Sequence, residues 1–208
     1  MTSKPDLDGA YDLKTPEDSL RLYRDWAETY DETFAKEHAY IMPQHVARAY
    51  INAGGFQPVL DVGAGTGLCG QALRERGLDH IDATDISPDM LAVAKAKGIY
   101  HTLFEGDILA GLEVEAGIYA GITSSGTFTH GHVGPEAIDE LIRLVRRGGW
   151  IVISINSGHF SSHGFEAKFA SIGDIITDLE FRELPIYAAN GSGEHAQDTG
   201  LVTLFRKA

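Results

Sequence analysis

This chain of 208 residues has little cysteine, little positive charge and no long apolar run. Its one cysteine, Cys69, excludes an internal disulfide framework and a cysteine-built metal cluster. Lys and Arg number 17 against 30 Asp and Glu, giving a net charge of −13. Nucleic-acid binding draws its affinity from basic side chains that displace counterions, so this balance argues against a DNA or RNA partner. The acid excess reads as a solvated surface that keeps the protein soluble. No stretch approaches the roughly 18 consecutive apolar residues of a membrane span. "MTSKPDLDGAYDLKTPED" also lacks the basic-then-apolar layout of a secretory leader. These absences predict a cytoplasmic protein, with no membrane and no nucleic acid among its partners.

What the chain does have is alternation. Thr15-Pro16-Glu17-Asp18 opens a helix with a capping hydroxyl and a first-turn proline, and Leu20, Tyr23, Trp26 and Ala27 give it one apolar face. "MPQHVARAYINAGG" predicts a second helix, closed by Gly54 and Gly55. Strands then alternate with helices. "PVLDVG", "HIDATD", "YHTLFEGD", "GIYAGIT" and "WIVISI" are the strands. "LCGQALRERG", "SPDMLAVAKAKG" and "GPEAIDELIRLVRRGG" are the helices, the last with Ala137, Ile138, Leu141, Ile142 and Val145 facing inward. This order predicts an open, mostly parallel, doubly wound sheet. After it come a Gly/Ser/His loop over 157–164, a helix over 165–179, and a hairpin-like pair, "FRELPIYA" and "LVTLFRKA".

The sharpest signal is "PVLDVGAGTGLCG", residues 58–70. Glycines this dense after a strand let the backbone turn sharply and let a ligand come close. In a doubly wound sheet that turn lies where ligands bind. Gly65-x-Gly67-x-x-Gly70 alone matches a dinucleotide loop, but it equally fits a plain tight turn. Three acids at successive strand ends sharpen the reading: Asp61, Asp85 and Asp107. Asp85 is placed to accept two ribose hydroxyls, and Asp107 an adenine amino group. An anionic strand tip disfavours a pyrophosphate and suits a cationic ligand. Ribose, adenine and positive charge without phosphate describe S-adenosylmethionine. Each acid also has a purely structural alternative as a cap for the next helix.

The chain here resembles the class I S-adenosylmethionine-dependent methyltransferases. "VLDVGAGTG" is similar to their glycine-rich motif, "DATDISPDMLAVAK" to their ribose-binding strand and helix, and "FEGDIL" to their adenine-contacting turn. "LVRRGGWIVISI" resembles the helix, turn and strand that follow. "YRDWAETYDETF" resembles the N-terminal helix of small-molecule members, notably the Williams–Beuren-region methyltransferase-like group. The resemblance implies a Rossmann-like, seven-stranded sheet with an antiparallel C-terminal strand and an N-terminal helical lid. It implies one domain over 1–208, with the lid at 15–53, the cofactor core at 56–156, and the substrate loop, helix and strand pair at 157–208. Gly63, Gly65 and Gly67 form the cofactor loop by this resemblance, with Asp61 near the methionine amino group and Ser124 under the methionine moiety. Asp85 holds the ribose, Asp107 reads the adenine amino group, Ile86 and Ile108 wall the ring, and Tyr23 and Tyr30 are the contacts of the lid, which closes over the methionine end of the cofactor. The implied reaction moves a methyl group by in-line displacement to a small-molecule acceptor and leaves S-adenosyl-L-homocysteine.

A sulfonium carbon is already electrophilic, so such an enzyme mainly aligns its reactants and excludes water. A proton-bearing acceptor also needs a base. The loops after strands four and five hold His130, His132, His159 and His163, and His130 and His132 are the candidate catalytic residues. Loop lining is the plainer role for each, and His132 has a second one in capping the helix at Pro135. Zinc binding through His130-x-His132 needs a third ligand, so no metal is expected. Two rival functions stay open: an NAD-dependent oxidoreductase, and a non-catalytic S-adenosylmethionine-binding protein. The expected assembly is a monomer or homodimer.

Overall fold

The computed structural model describes residues 16–129, 133–189 and 195–208. Short runs rich in Val and Ile pair in parallel, and the amphipathic helices between them cover the two faces of the sheet. β1 (Val59–Val62), β2 (Ile81–Asp85), β3 (Thr102–Glu105), β4 (Tyr119–Phe128), β5 (Val145–Asn156), β6 (Ile176–Pro185) and β7 (Thr199–Lys207) form one sheet. Its order is β3-β2-β1-β4-β5-β7-β6. β7 runs antiparallel to β5 and β6, and the other six strands share a direction. Strand order reverses between β1 and β4, which opens a crevice beyond their carboxyl ends. The predicted doubly wound sheet with its antiparallel C-terminal strand is therefore what forms.

Alternation along each strand divides its side chains between two cores. Leu60, Val62, Ile151, Ile153 and Ile155 pack with α5 (Ala137–Leu144) and α7 (Phe165–Ser171). Val59, Ile81, Val152 and Leu204 pack in the other layer with α2 (Met42–Asn52) and α3 (Leu68–Arg74). α1 (Pro16–Trp26) and a π-helical turn (Asp31–Lys36) join this second layer through the buried Trp26 and Phe34. Burying a side chain of that size contributes roughly 1.5–3 kcal/mol, which fixes the N-terminal segment to the sheet. α4 (Pro88–Ala96) starts as its sequence predicts, with Ser87 Oγ accepting from Met90 N at 3.3 Å and Pro88 in the first turn. No helix among the described residues is long and apolar enough to cross a membrane.

Two boundaries differ from expectation. Val145 is buried, but as the first residue of β5, with extended backbone (φ −82°, ψ 143°). It pairs with Tyr119, and the next partners are Gly121 and Trp150. Gly148 and Gly149 therefore sit in a bulge within the strand instead of ending a helix. The helix expected over 165–179 stops at Ser171. Gly173 follows, and Ile176 and Thr177 pair with Lys207 and Arg206 on β7, so sheet pairing takes these residues from the helix. Within the expected loop, residues 157–162 form the short helix α6 (Ser157–Ser162), because Asn156 Oδ1 accepts from Gly158 N and His159 N.

Candidate functional site

The glycine loop between β1 and α3 borders a cleft at the carboxyl ends of the strands. Gly63 has φ +64°, and a Cβ there would collide with the Thr127 side chain. Gly65 has φ +55° with nothing within 4 Å of its Cβ position, so its backbone faces open space. Only glycine takes such a conformation without strain. Gly67 starts α3 at φ +94° and does not line the cleft. Gly70 leaves room for the Tyr100 ring, which a Cβ would strike.

Around this loop the fold gathers most of the residues expected there. Gly63, Gly65, Asp85, Ile86, Asp107, Ile108, Tyr23 and Tyr30 all line the cleft. Asp85 Oδ2 accepts from Gly65 N at 2.7 Å, and Oδ1 from Ser87 N at 2.9 Å. Burial pushes its carboxyl pKa up, and the backbone N–H groups of Ser87, Gly65 and Ile86 pull it back. Asp107 Oδ1 accepts from Leu109 N at 2.8 Å, holding the turn after β3. Tyr23 and Tyr30 close the cleft from the N-terminal segment, stacked edge to face at 6.1 Å. Desolvation raises the pKa of both phenols, for Tyr23 with a further contribution from the Asp85 carboxylate, so both stay neutral.

Two expected residues stand behind the cleft wall. Asp61 is fully buried on the α2/α3 face of β1 and does not line the cleft. It accepts from Tyr100 Oη at 2.7 Å and from Thr123 Oγ1 at 3.2 Å. Burial pushes its carboxyl up to about 6, against the pull of those bonds. Ser124 is buried as well, and its Oγ donates to Val62 O at 2.7 Å, tying β4 to β1. Its neighbours Ser125, Gly126 and Thr127 line the cleft instead. The β4–β5 register shifts between Ser124 and Phe128, and Gly126, at φ +83°, donates to Ser154 Oγ at 3.0 Å. The glycine inside "TSSGTF" was the available sign of this bulge. His130 and His132 lie outside the described residues. His159 is buried, with Nε2 3.0 Å from Val133 O and its ring against Phe165.

Other contributors carried no local sign. Asp31, on the π-helical turn, accepts from Thr66 Oγ1 at 2.6 Å and from Lys97 Nζ at 2.5 Å. It thereby fastens the N-terminal segment to the glycine loop and to the end of α4. Tyr40 Oη lies 3.3 Å from Ser125 Oγ, across 85 residues of chain. No periodicity links such distant positions.

A family model described as a methyltransferase domain matches residues 59–149, which span the glycine loop, both further acids and the start of β5. Over this stretch the chain is similar to S-adenosylmethionine-dependent methyltransferases, and its sheet has their Rossmann-like order. Methyltransferase-like protein 27 of Homo sapiens is 28% identical over 158 residues, 74% of this chain and 64% of that protein. The chain thus spans less than two thirds of that relative's length. Demethylmenaquinone methyltransferase of Renibacterium salmoninarum is 28% identical over 184 residues, covering 86% of this chain and 72% of the relative. The solved TehB-like S-adenosylmethionine-dependent methyltransferase of Corynebacterium glutamicum shares the fold, with a TM-score of 0.62 and 21% identity. That match covers 89% of this chain and 98% of the other.

The cleft suits the family's cofactor. No Lys, Arg or His stands among the described residues that line it, so no cationic side chain there answers a pyrophosphate. Asp85 and Asp107 offer acceptors at two strand ends, and Ile86 and Ile108 offer apolar walls. Thr84 Oγ1, also on the lining, is buried without a partner. A buried polar atom left unpaired costs free energy that a ligand's hydrogen bond restores.

Proposed function

We propose that this chain transfers the methyl group of S-adenosylmethionine to a small, uncharged, ring-bearing acceptor. One observation carries the reading. The cleft continues into a second chamber that shares Tyr23, Tyr30, Tyr40 and Gly126 with it. Trp26, Phe34, Phe128 and Tyr187 enclose this chamber, Ser154 and Asn156 are among its polar residues, and none of its described lining residues is charged. An apolar aromatic lining with a few polar groups is how small-molecule sites are built. A carboxylate or phosphate entering it would lose its hydration with no cation to replace it.

The cofactor supplies an activated methyl group, and the chain supplies placement. Asp85 accepts from the ribose and Asp107 from the adenine amino group, while the Gly63–Gly65 backbone admits the cofactor closely. Tyr23 and Tyr30 separate the reacting centre from water, where alignment does most for the rate. His130 follows Thr129, a chamber residue, directly in the chain and is the base this reading assigns to a proton-bearing acceptor.

The test incubates purified protein with methyl-labelled cofactor and a panel of uncharged aromatic, aliphatic and anionic acceptors. The panel includes demethylmenaquinone, for which the Renibacterium relative is named. Label should enter uncharged aromatic members, and Tyr187→Ala should lower that transfer by about tenfold or more while S-adenosylhomocysteine affinity holds. Cofactor binding with label in no acceptor favours a non-catalytic binding protein. Calorimetric binding of NADH in its place favours the oxidoreductase.

A further inference from the structure

At the amino-terminal ends of β2 and β3, away from the cleft, three metal-ligating side chains converge. His80 directly precedes β2, Asp82 is the second residue of β2, and His101 directly precedes β3. His80 and Asp82 are two residues apart on one strand, a spacing that puts both on one face. The parallel register sets Asp82 beside Thr102, which brings His101 alongside. One ligand atom from each of the three lies within 4.8 Å of the other two. The two imidazole rings stand 4.4 Å apart, and His101 Nδ1 is 3.3 Å from Asp82 Oδ1.

The carboxylate is held in place from behind. Only 13% of the Asp82 side chain is exposed, and its Oδ2 accepts from Tyr119 Oη at 3.1 Å. That leaves Oδ1 on the side of the imidazoles. A carboxylate fixed through its second oxygen is a common support for a ligating group.

We propose that His80, Asp82 and His101 bind a divalent transition-metal ion of the zinc type. Two imidazoles and one carboxylate suit a borderline cation, whereas magnesium and calcium prefer oxygen donors throughout. Three protein ligands leave a position for water. The ion bridges the start of β2 to the start of edge strand β3. Gly63, Asp85 and Asp107 stand at the opposite ends of the strands, so the ion steadies the sheet edge and takes no part in methyl transfer. The competing arrangement is a metal-free contact between His101 Nδ1 and Asp82 Oδ1.

The test titrates Zn²⁺ into the chelator-stripped full chain by calorimetry at neutral pH. One-site binding is expected, together with a zinc-dependent rise in thermal midpoint, since a ligand that binds only the folded state stabilises it. His80→Ala/His101→Ala should lower the affinity by more than about tenfold and abolish the rise, and Tyr119→Phe should cost about 10–100-fold. His80 and His101 are exposed, so the double variant should retain its fold, which circular dichroism checks. Asp82→Asn, which keeps an acceptor for Tyr119, should also weaken binding. His130→Ala/His132→Ala removes a His-x-His pair found elsewhere in the sequence and should leave the affinity unchanged. Absence of zinc binding in the wild type, or equal affinity in the His80→Ala/His101→Ala and Asp82→Asn proteins, overturns the site. Loss of binding in the His130→Ala/His132→Ala protein alone does the same.

Discussion

The oxygens of Asp85 each accept one backbone N–H, from Gly65 and from Ser87, and the residue also lines the cleft. An ionised carboxylate has about four acceptor positions, so acceptor capacity remains for a ribose hydroxyl. Hydrogen bonds to a charged group contribute about 1.5–3 kcal/mol each. Asp85→Ala should therefore weaken S-adenosylhomocysteine binding by well over about tenfold in a protein that still folds. Calorimetry with circular dichroism checks this, and near-wild-type affinity in the folded variant would remove Asp85 from the ribose. This residue was legible because its strand, its acid and the capped helix after it are contiguous. Asp61 was legible as an acid at the strand tip, but its direction was not. It points into the α2/α3 layer because alternation gives Leu60 and Val62 to the other core.

Among the elements, the N-terminal segment has two attachments of different kinds. Trp26 and Phe34 anchor it by burial, whereas Asp31 holds it by polar bonds to Thr66 and Lys97. The ion pair is only partly exposed, at 21% for Lys97 and 29% for Asp31. A polar tether at the rim of a ligand cleft is a place where local opening starts. Hydrogen exchange over residues 16–41 should slow when S-adenosylhomocysteine binds, with little change in β5. Asp31→Ala should speed exchange in the same segment without ligand and reduce its protection with ligand. Equal exchange in all four samples would make the segment a fixed part of the core. The helix here was readable from its apolar spacing, but the tether joins residues 35 and 66 positions apart and left no mark on any local pattern.

The molecule as a whole carries the cost of burying Asp61. A folded-state pKa near 6 exceeds the ordinary carboxylate value, so between those two pH values the folded protein binds more protons than the unfolded chain. The contribution is thus most favourable at low pH and is lost as pH rises from about 4 to about 6, on the order of 3 kcal/mol in total. Asp61→Asn cannot ionise. The stability of the wild type relative to this variant should therefore fall over that window, as measured by urea denaturation at several pH values. The other carboxylates are common to both proteins and cancel in the difference. A flat difference would mean that Asp61 ionises in the fold as readily as in the unfolded chain, and one that grows with pH that it ionises there more readily.

By itself the sequence determined the alternation of strands and helices, the glycine turn, and the acids at the ends of β1, β2 and β3. These depend on periodicity, on capping chemistry and on backbone freedom, all of which act within a few residues. Only the tertiary structure decided where β5 begins and α7 ends, because pairing with β4 and β7 outweighed local helical preference at Val145 and beyond Ser171. It also decided that Ser125 and Gly126, not Ser124, reach the cleft, since a register shift in β4 turns their backbone. The aromatic chamber has the same origin. Tyr23, Phe128 and Tyr187 meet there only after the chain has folded back over the sheet, and contacts between such distant positions are set by packing.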